Sequence, residues 1–147
     1  MPKTRVIAEA VVGAIPDTDL TVSGWAAKHR RISELSNMPG PWRNEVTPYL
    51  VEPMDCLGLP GVYEVVFVAS AQIGKTEFCN NGVGYFMHHD PSSILYVAET
   101  DKKAEAWSKE KLAPMIRSTP ALRSLVRDVR TRDSGNTIEA KSFPGGF

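Results

Sequence analysis

The sequence has few of the features that mark secreted or membrane proteins. Its 147 residues include only two cysteines, Cys56 and Cys79, which form no CxxC pair and are interpreted as reduced thiols. No apolar run approaches the ~20 residues that a membrane-spanning helix requires. The N-terminal segment lacks the clean apolar block of a signal peptide. We therefore predict a cytoplasmic protein with no membrane partner.

The chain also lacks an excess of charge of either sign. Its 17 Lys and Arg residues balance 17 Asp and Glu residues, which gives a net charge of zero and a pI of about 6.8. Overall basicity therefore gives no indication of nucleic-acid binding, although a local basic patch is compatible with a zero sum. The length and the 42% hydrophobic content suit one ordinary domain with its own core.

Composition divides the chain into three parts. Residues 1–20 are expected to form a flexible arm, residues 21–61 a lead-in of short helices, and residues 62–147 an alternation of strands and helices. In the lead-in, Thr21 or Ser23 is expected to cap one short helix, and Pro53 to interrupt another.

The third part carries the pattern that decides the fold class. We predict strands over residues 63–69, 94–98 and 137–140, and helices over residues 75–88, 101–112 and 120–126. Pro114 is expected to end or kink the second helix. Strand, helix and strand make a βαβ unit, in which the two strands run parallel. The predicted class is α/β, a parallel sheet with flanking helices.

The residues between the first strand and its helix have the chemistry of a phosphate-binding loop. Gly74-Lys75-Thr76 follows an apolar strand and opens a helical pattern, as a Walker A loop does. In such a loop, backbone N–H groups hold the phosphates, the lysine reaches the β- and γ-phosphates, and the hydroxyl binds Mg²⁺. The predicted nucleotide-binding residues are Ser70, Ala71, Gln72, Ile73, Gly74, Lys75 and Thr76, with Thr76 as metal ligand. The expected cofactors are ATP and Mg²⁺. Glu77 is interpreted as an anion favoured at a helix N-terminus rather than as a catalytic base.

Further motifs, in order, resemble the large terminase subunit of lambda-type tailed phages. They cover about residues 21–147 and include Thr47-Pro48-Tyr49, Glu64-Val65-Val66-Phe67, the loop over residues 70–77, Gly84-Tyr85, Ala104-Glu105-Ala106-Trp107 and Phe143-Pro144-Gly145-Gly146. In that family the N-terminal half is a P-loop ATPase that packages DNA into an empty capsid, and the C-terminal half is a metal-dependent nuclease. The resemblance implies that this chain is an N-terminal ATPase fragment, a partial P-loop NTPase truncated before the Walker B strand.

The resemblance also implies roles for the parts of the chain and a set of partners. Residues 21–61 would carry the adenine-side motif, in which Tyr49 lies near the base, and residues 62–147 would be the first part of the ATPase domain. A tyrosine that merely packs against a helix is the alternative for Tyr49. The implied partners are double-stranded phage DNA, the small terminase subunit and the portal or prohead, in an oligomeric motor in the host cytoplasm.

Three departures from the standard patterns limit what the resemblance implies. Ala69 stands where a Walker A loop has its first glycine, although the family tolerates this, and Leu50 replaces a glutamine that could read the adenine edge. No apolar run ending in Asp-Glu follows, so Mg²⁺ and the attacking water lack their acidic partners. No catalytic residue is therefore predicted, and whether this chain is itself an enzyme stays open.

Other interpretations remain at this stage. The chain could be a non-catalytic prophage remnant or binding module, or part of another helicase-like P-loop ATPase. The cations after the second strand could face DNA or a subunit, or could lie on a solvated helix surface; they are Lys109, Lys111, Arg117, Arg123, Arg127, Arg130 and Arg132.

Overall fold

The computed structural model describes residues 20–34, 36–126 and 137–147. Nearly all of the predicted arm and the arginines at positions 127, 130 and 132 lie outside these ranges. The helices are α1 (Val22–His29), α2 (Val51–Cys56), α3 (Lys75–His88), α4 (Asp101–Trp107), α5 (Ala113–Ser118) and α6 (Pro120–Arg123). Strands β1 (Arg31–Ile32) and β2 (Gly40–Pro41) form an antiparallel pair. Two 3₁₀ turns cover Asn44–Val46 and Pro48–Leu50, and a π-helical turn, Ser108–Leu112, joins α4 to α5.

Helix α3 lies at the centre of the core, and its bounds are those predicted from the sequence. Trp25 of α1 is fully buried against it, and the Trp25 indole N–H donates to Nδ1 of His88 at 3.2 Å. The closest approach is at Gly84, where a Cβ atom would lie 2.3 Å from a ring carbon of Trp25. Only glycine therefore allows the indole to lie this close to the helix backbone.

The start of α1 decides between the two predicted caps. The Thr21 hydroxyl accepts a hydrogen bond from the N–H of Gly24 at 3.2 Å, which makes Thr21 the cap. Ser23 lies inside the helix, where its N–H and hydroxyl both donate to the carboxylate of Asp55, at 2.8 and 3.0 Å. Asp55 therefore ties α1 to α2.

Neither Pro53 nor Pro114 ends the helix in which it lies. Pro53 lies in the first turn of α2, where its missing N–H removes no intrahelical bond. The chain stays helical through Pro114 because the preceding turn widens, with the N–H of Ala113 bonded to the carbonyl of Ser108, five residues back. Helix α6, in contrast, is shorter than predicted and ends at Arg123.

The two long predicted strands are not part of a sheet within the described residues. Residues 63–69 alternate in burial: Val65 and Phe67 pack against the core, whereas Val66 and Val68 are 73% and 90% exposed. This period of two is typical of a strand, but no described backbone pairs with the segment.

The other two predicted strands are also outside any sheet in the described residues. In residues 94–98, Ile94 packs against the core and its N–H bonds to the carbonyl of Phe147 at 3.0 Å, whereas Leu95 and Val97 are 87% and 77% exposed. Residues 137–140 form a bend instead of a strand, in which the N–H of Thr137 donates to the carbonyl of Ala140 at 2.7 Å. The observed fold is thus a mixed one, with helices around α3 and one small two-stranded sheet. Within the described ranges, no helix is both long and apolar enough to cross a membrane.

Replacing Gly84 with alanine tests the packing of α3. Ala normally stabilises a helix interior by ~1 kcal/mol relative to Gly. At Gly84 the added methyl would overlap the buried Trp25 ring, so we expect a net loss of about 1–3 kcal/mol in the free energy of unfolding, measured by urea denaturation. Gly82→Ala is the matched control, because its methyl would meet only the movable end of Leu57, and it should change stability by less than about 1 kcal/mol. A stabilising Gly84→Ala would contradict this packing.

Candidate nucleotide-binding site

The predicted phosphate loop turns sharply into α3. Gly74, the residue before the helix, has φ of 93°, in the left-handed region that favours glycine. Gln72 also has a positive φ, 60°, which is uncommon for a residue with a side chain. Residues 63–69 and 94–98 are the first and second extended segments. The loop is therefore held in a tight, specific conformation between the first extended segment and α3.

The first turn of α3 presents hydrogen-bond donors without acceptors. Gly74 provides no side-chain cap, and no backbone carbonyl in the described part of the chain accepts from the N–H groups of residues 72–77. Such N–H groups, together with the positive end of the helix dipole, attract anions. The loop thus has the donor set that a phosphate group needs.

The side chains of the loop complete this donor set. The Lys75 ammonium donates to the carbonyls of Ala69 and Ser70, at 3.0 and 2.8 Å, so it lies against the first residues of the same loop. Lys75 and Thr76 are both exposed. An exposed ammonium and hydroxyl beside open N–H groups fit a phosphate with its metal ion. Ala69 contributes a backbone carbonyl here, a role that does not require glycine.

Tyr49 contacts the loop through its hydroxyl group. Its hydroxyl donates to the carbonyl of Ile73 at 3.1 Å, and its side chain is 51% exposed. This exposure shows that Tyr49 is not a core residue. Leu50, next along the chain, is fully buried, and its Cδ1 atom would lie 3.1 Å from a Cβ atom on Gly74. Leu50 therefore supports the loop from beneath and does not face a base.

A partly buried ion pair that the sequence patterns did not predict lies beside the loop. Arg30, at the end of α1, donates from Nη2 to the Glu77 carboxylate at 2.8 Å, and the Arg30 side chain is only 3% exposed. Burial lowers the pKa of Arg30 from its ordinary value, and the adjacent Glu77 carboxylate opposes this shift. The other end of the guanidinium donates to the carbonyl of Arg31. No sequence signal marks Arg30, because it lies 47 residues from its partner.

Glu77 also connects the loop to the helix that follows the second extended segment. Asn80 donates to its carboxylate at 3.3 Å, and the Asn80 carbonyl oxygen accepts from the Trp107 indole at 3.1 Å. The Trp107 ring is stacked on Tyr96, with ring centroids 3.8 Å apart. Cys79, also on α3, is exposed as a residue, but partial desolvation of its thiol raises its pKa, which favours the neutral thiol.

The cations after the second extended segment are partly accounted for. Lys109 forms an exposed i,i+4 pair with Glu105 at 2.9 Å, and Lys103 pairs with Glu99 in the same way. The lysine side chains are 51% and 61% exposed, so both lie on the helix surface.

Comparison with known proteins identifies the family. Residues 36–147 match the family described as phage terminase large subunit gpA, ATPase domain. The chain is 32% identical over 141 residues to the terminase large subunit of Enterobacteria phage P21, and 29% identical over 127 residues to that of Escherichia phage lambda. No solved structure matches the chain.

These alignments cover most of this chain but little of the relatives. They include 95% and 86% of the chain, yet only 22% and 20% of the respective phage proteins, so the chain spans about a fifth of their length. The comparisons give no support to the helicase-like or remnant alternatives. An ATPase domain implies nucleotide binding, in agreement with the open donors of the loop. The chain belongs to the phage terminase large subunit family and matches the ATPase domain of that family.

Proposed function

We propose that the loop over residues 70–76 binds the phosphates of ATP together with Mg²⁺. The observation that carries this proposal is the first turn of α3, whose N–H groups lack acceptors in the described residues and whose lysine lies against the same loop. The N–H groups of residues 72–76 would hold the phosphates, Lys75 would reach the β- and γ-phosphates, and Thr76 would bind the metal. When bound, Mg²⁺ neutralises phosphate charge.

The adenine base would lie on the side of Tyr49. Its half-exposed ring offers a face for stacking, and its hydroxyl fixes the ring relative to the loop through Ile73. Leu50 supports the loop through packing and offers no polar group to read the base edge. We therefore assign base contact to the ring of Tyr49 and phosphate contact to the loop.

In a full-length terminase, this segment would be the ATP-binding part of the DNA-packaging motor. Double-stranded DNA, the small terminase subunit and the portal or prohead would be its partners, and the assembled motor would be oligomeric. The proposal rests on family membership and on the phosphate loop. Hydrolysis is not assigned to these residues, because the 147 residues contain no apolar run ending in an Asp-Glu pair.

The two extended segments would be the first strands of the parallel sheet of a P-loop ATPase. Their alternating burial supports this assignment, since each packs one face against the core: Phe67 contacts Phe78 of α3, and Tyr96 stacks on Trp107. The exposed valines and leucine on the opposite face would be covered by helices packed on that face of the sheet in the full ATPase domain.

Replacing Lys75 with alanine tests the phosphate assignment. Loss of a charge-assisted contact of about 1.5–3 kcal/mol should weaken Mg·ATP binding by roughly 10- to 100-fold, measured by isothermal titration calorimetry on the 147-residue chain. Lys109→Ala is the matched control, because it removes an exposed lysine whose partner in the described part of the chain is Glu105, and it should leave affinity unchanged. Equal binding by the parent and Lys75→Ala would refute the role of Lys75, and a parent that does not bind Mg·ATP would refute the proposed function.

Two substitutions at Tyr49 separate its ring from its hydroxyl. Tyr49→Phe keeps the ring, so Mg·ATP affinity should stay within about threefold, whereas Tyr49→Leu should weaken it by about three- to tenfold through lost stacking. Tripolyphosphate with Mg²⁺ is the control ligand because it has no base, and it should bind both variants alike. If Tyr49→Leu weakened tripolyphosphate binding as much as ATP binding, Tyr49 would support only the loop.

A further inference from the structure

The ion pair between Arg30 and Glu77 has no part in the phosphate contacts proposed above. Glu77 directly follows Thr76 and lies in the first turn of α3. Its side chain is 32% exposed, whereas that of Arg30 is 3% exposed. Glu77 therefore lies at the edge of the loop, and its cation lies behind it in the core.

A carboxylate at this position creates an electrostatic conflict. The N-terminus of a helix favours an anion, and Glu77 meets that preference when no nucleotide is bound. A nucleotide needs the same helix end for its phosphates, and like charges close together repel. An uncompensated Glu77 would therefore weaken the binding of any phosphate to the loop.

The contacts of Glu77 remove this conflict. Arg30 Nη2 donates to one carboxylate oxygen at 2.8 Å, and the Asn80 amide donates to the other at 3.3 Å. Arg30 is itself held in place: its N–H bonds to the carbonyl of Ala26, its carbonyl accepts from the N–H of Trp42 at 3.0 Å, and its guanidinium bonds to the carbonyl of Arg31. The cation is thus fixed by bonds within α1 and the β1–β2 hairpin, none of which involves a residue of the loop.

We propose that Arg30 is a positioning residue for nucleotide binding, which neutralises Glu77 and keeps the first turn of α3 open to phosphate. This inference rests on the proposed function. It assigns to the N-terminal lead-in a direct influence on nucleotide affinity, exerted through Glu77 and without contact between Arg30 and the nucleotide.

The charge balance gives each variant a distinct result. Arg30→Met leaves Glu77 uncompensated and should raise the Kd of Mg·ADP by about fivefold, as expected for one partly screened unit charge. The double variant Arg30→Met/Glu77→Gln restores neutrality, so its Kd should return to within about twofold of the parent value. Replacing both members of a buried pair is also the change that the fold tolerates best. Affinities are measured by calorimetry and stabilities by urea unfolding, on the full 147-residue chain.

The exposed pair of Glu99 and Lys103 provides a matched control. Lys103→Met and Lys103→Met/Glu99→Gln make the same charge changes away from the phosphate loop, and neither should alter the Kd. If Arg30→Met does not fold, the Kd and the stability of the Glu77→Gln variant test the inference instead. It leaves the buried cation without its carboxylate, so it should lower stability without raising the Kd.

The outcomes separate this inference from the proposed function. Recovery of affinity in the double variant, or a less stable Glu77→Gln that binds as tightly as the parent, supports the inference. Three results would overturn the inference alone. The first is an unchanged Kd for Arg30→Met, and the second is a double variant that binds as weakly as Arg30→Met. The third is a Glu77→Gln variant whose Kd rises as its stability falls. A parent chain that does not bind Mg·ADP overturns the proposed function and this inference with it.

Discussion

The contact between the Trp25 ring and the backbone of α3 at Gly84 is the constraint on which the rest of the structure depends. A buried indole can lie this close only to a residue without a side chain, so the contact fixes the distance of α1 from α3. The position of α3 in turn sets where its first turn lies, and with it the N–H groups of the phosphate loop. Leu50, beneath Gly74, fixes the other end of the same helix.

Within the described residues, the phosphate loop is held largely from the N-terminal lead-in. Tyr49 bonds to the carbonyl of Ile73, Leu50 packs under Gly74, and Arg30 neutralises Glu77. The extended segment before the loop adds the packing of Phe67 on Phe78. The lead-in and the loop therefore contact each other directly, although more than 20 residues of chain lie between Tyr49 and the helix.

Local sequence patterns predicted the elements whose causes are local. Capping chemistry narrowed the cap of α1 to Thr21 or Ser23, and helical periodicity gave α3 from Lys75 to His88. The order of motifs along residues 21–147 led to the correct family. Local patterns do not determine features that depend on residues distant in the sequence. A strand needs a hydrogen-bonded neighbour that the described residues do not provide, Pro114 is accommodated by a widened turn, and Arg30 finds its carboxylate only in the folded core.

The central claim is that the open N–H groups at the start of α3 bind phosphate. Amide NMR of the 147-residue chain, titrated with Mg·ADP, tests it most directly because each N–H group reports separately. Saturable shifts concentrated in residues 72–76 are the predicted result, with smaller changes at Tyr49 and Glu77. Shifts confined to other parts of the chain, with residues 72–76 unchanged at saturation, would contradict the claim.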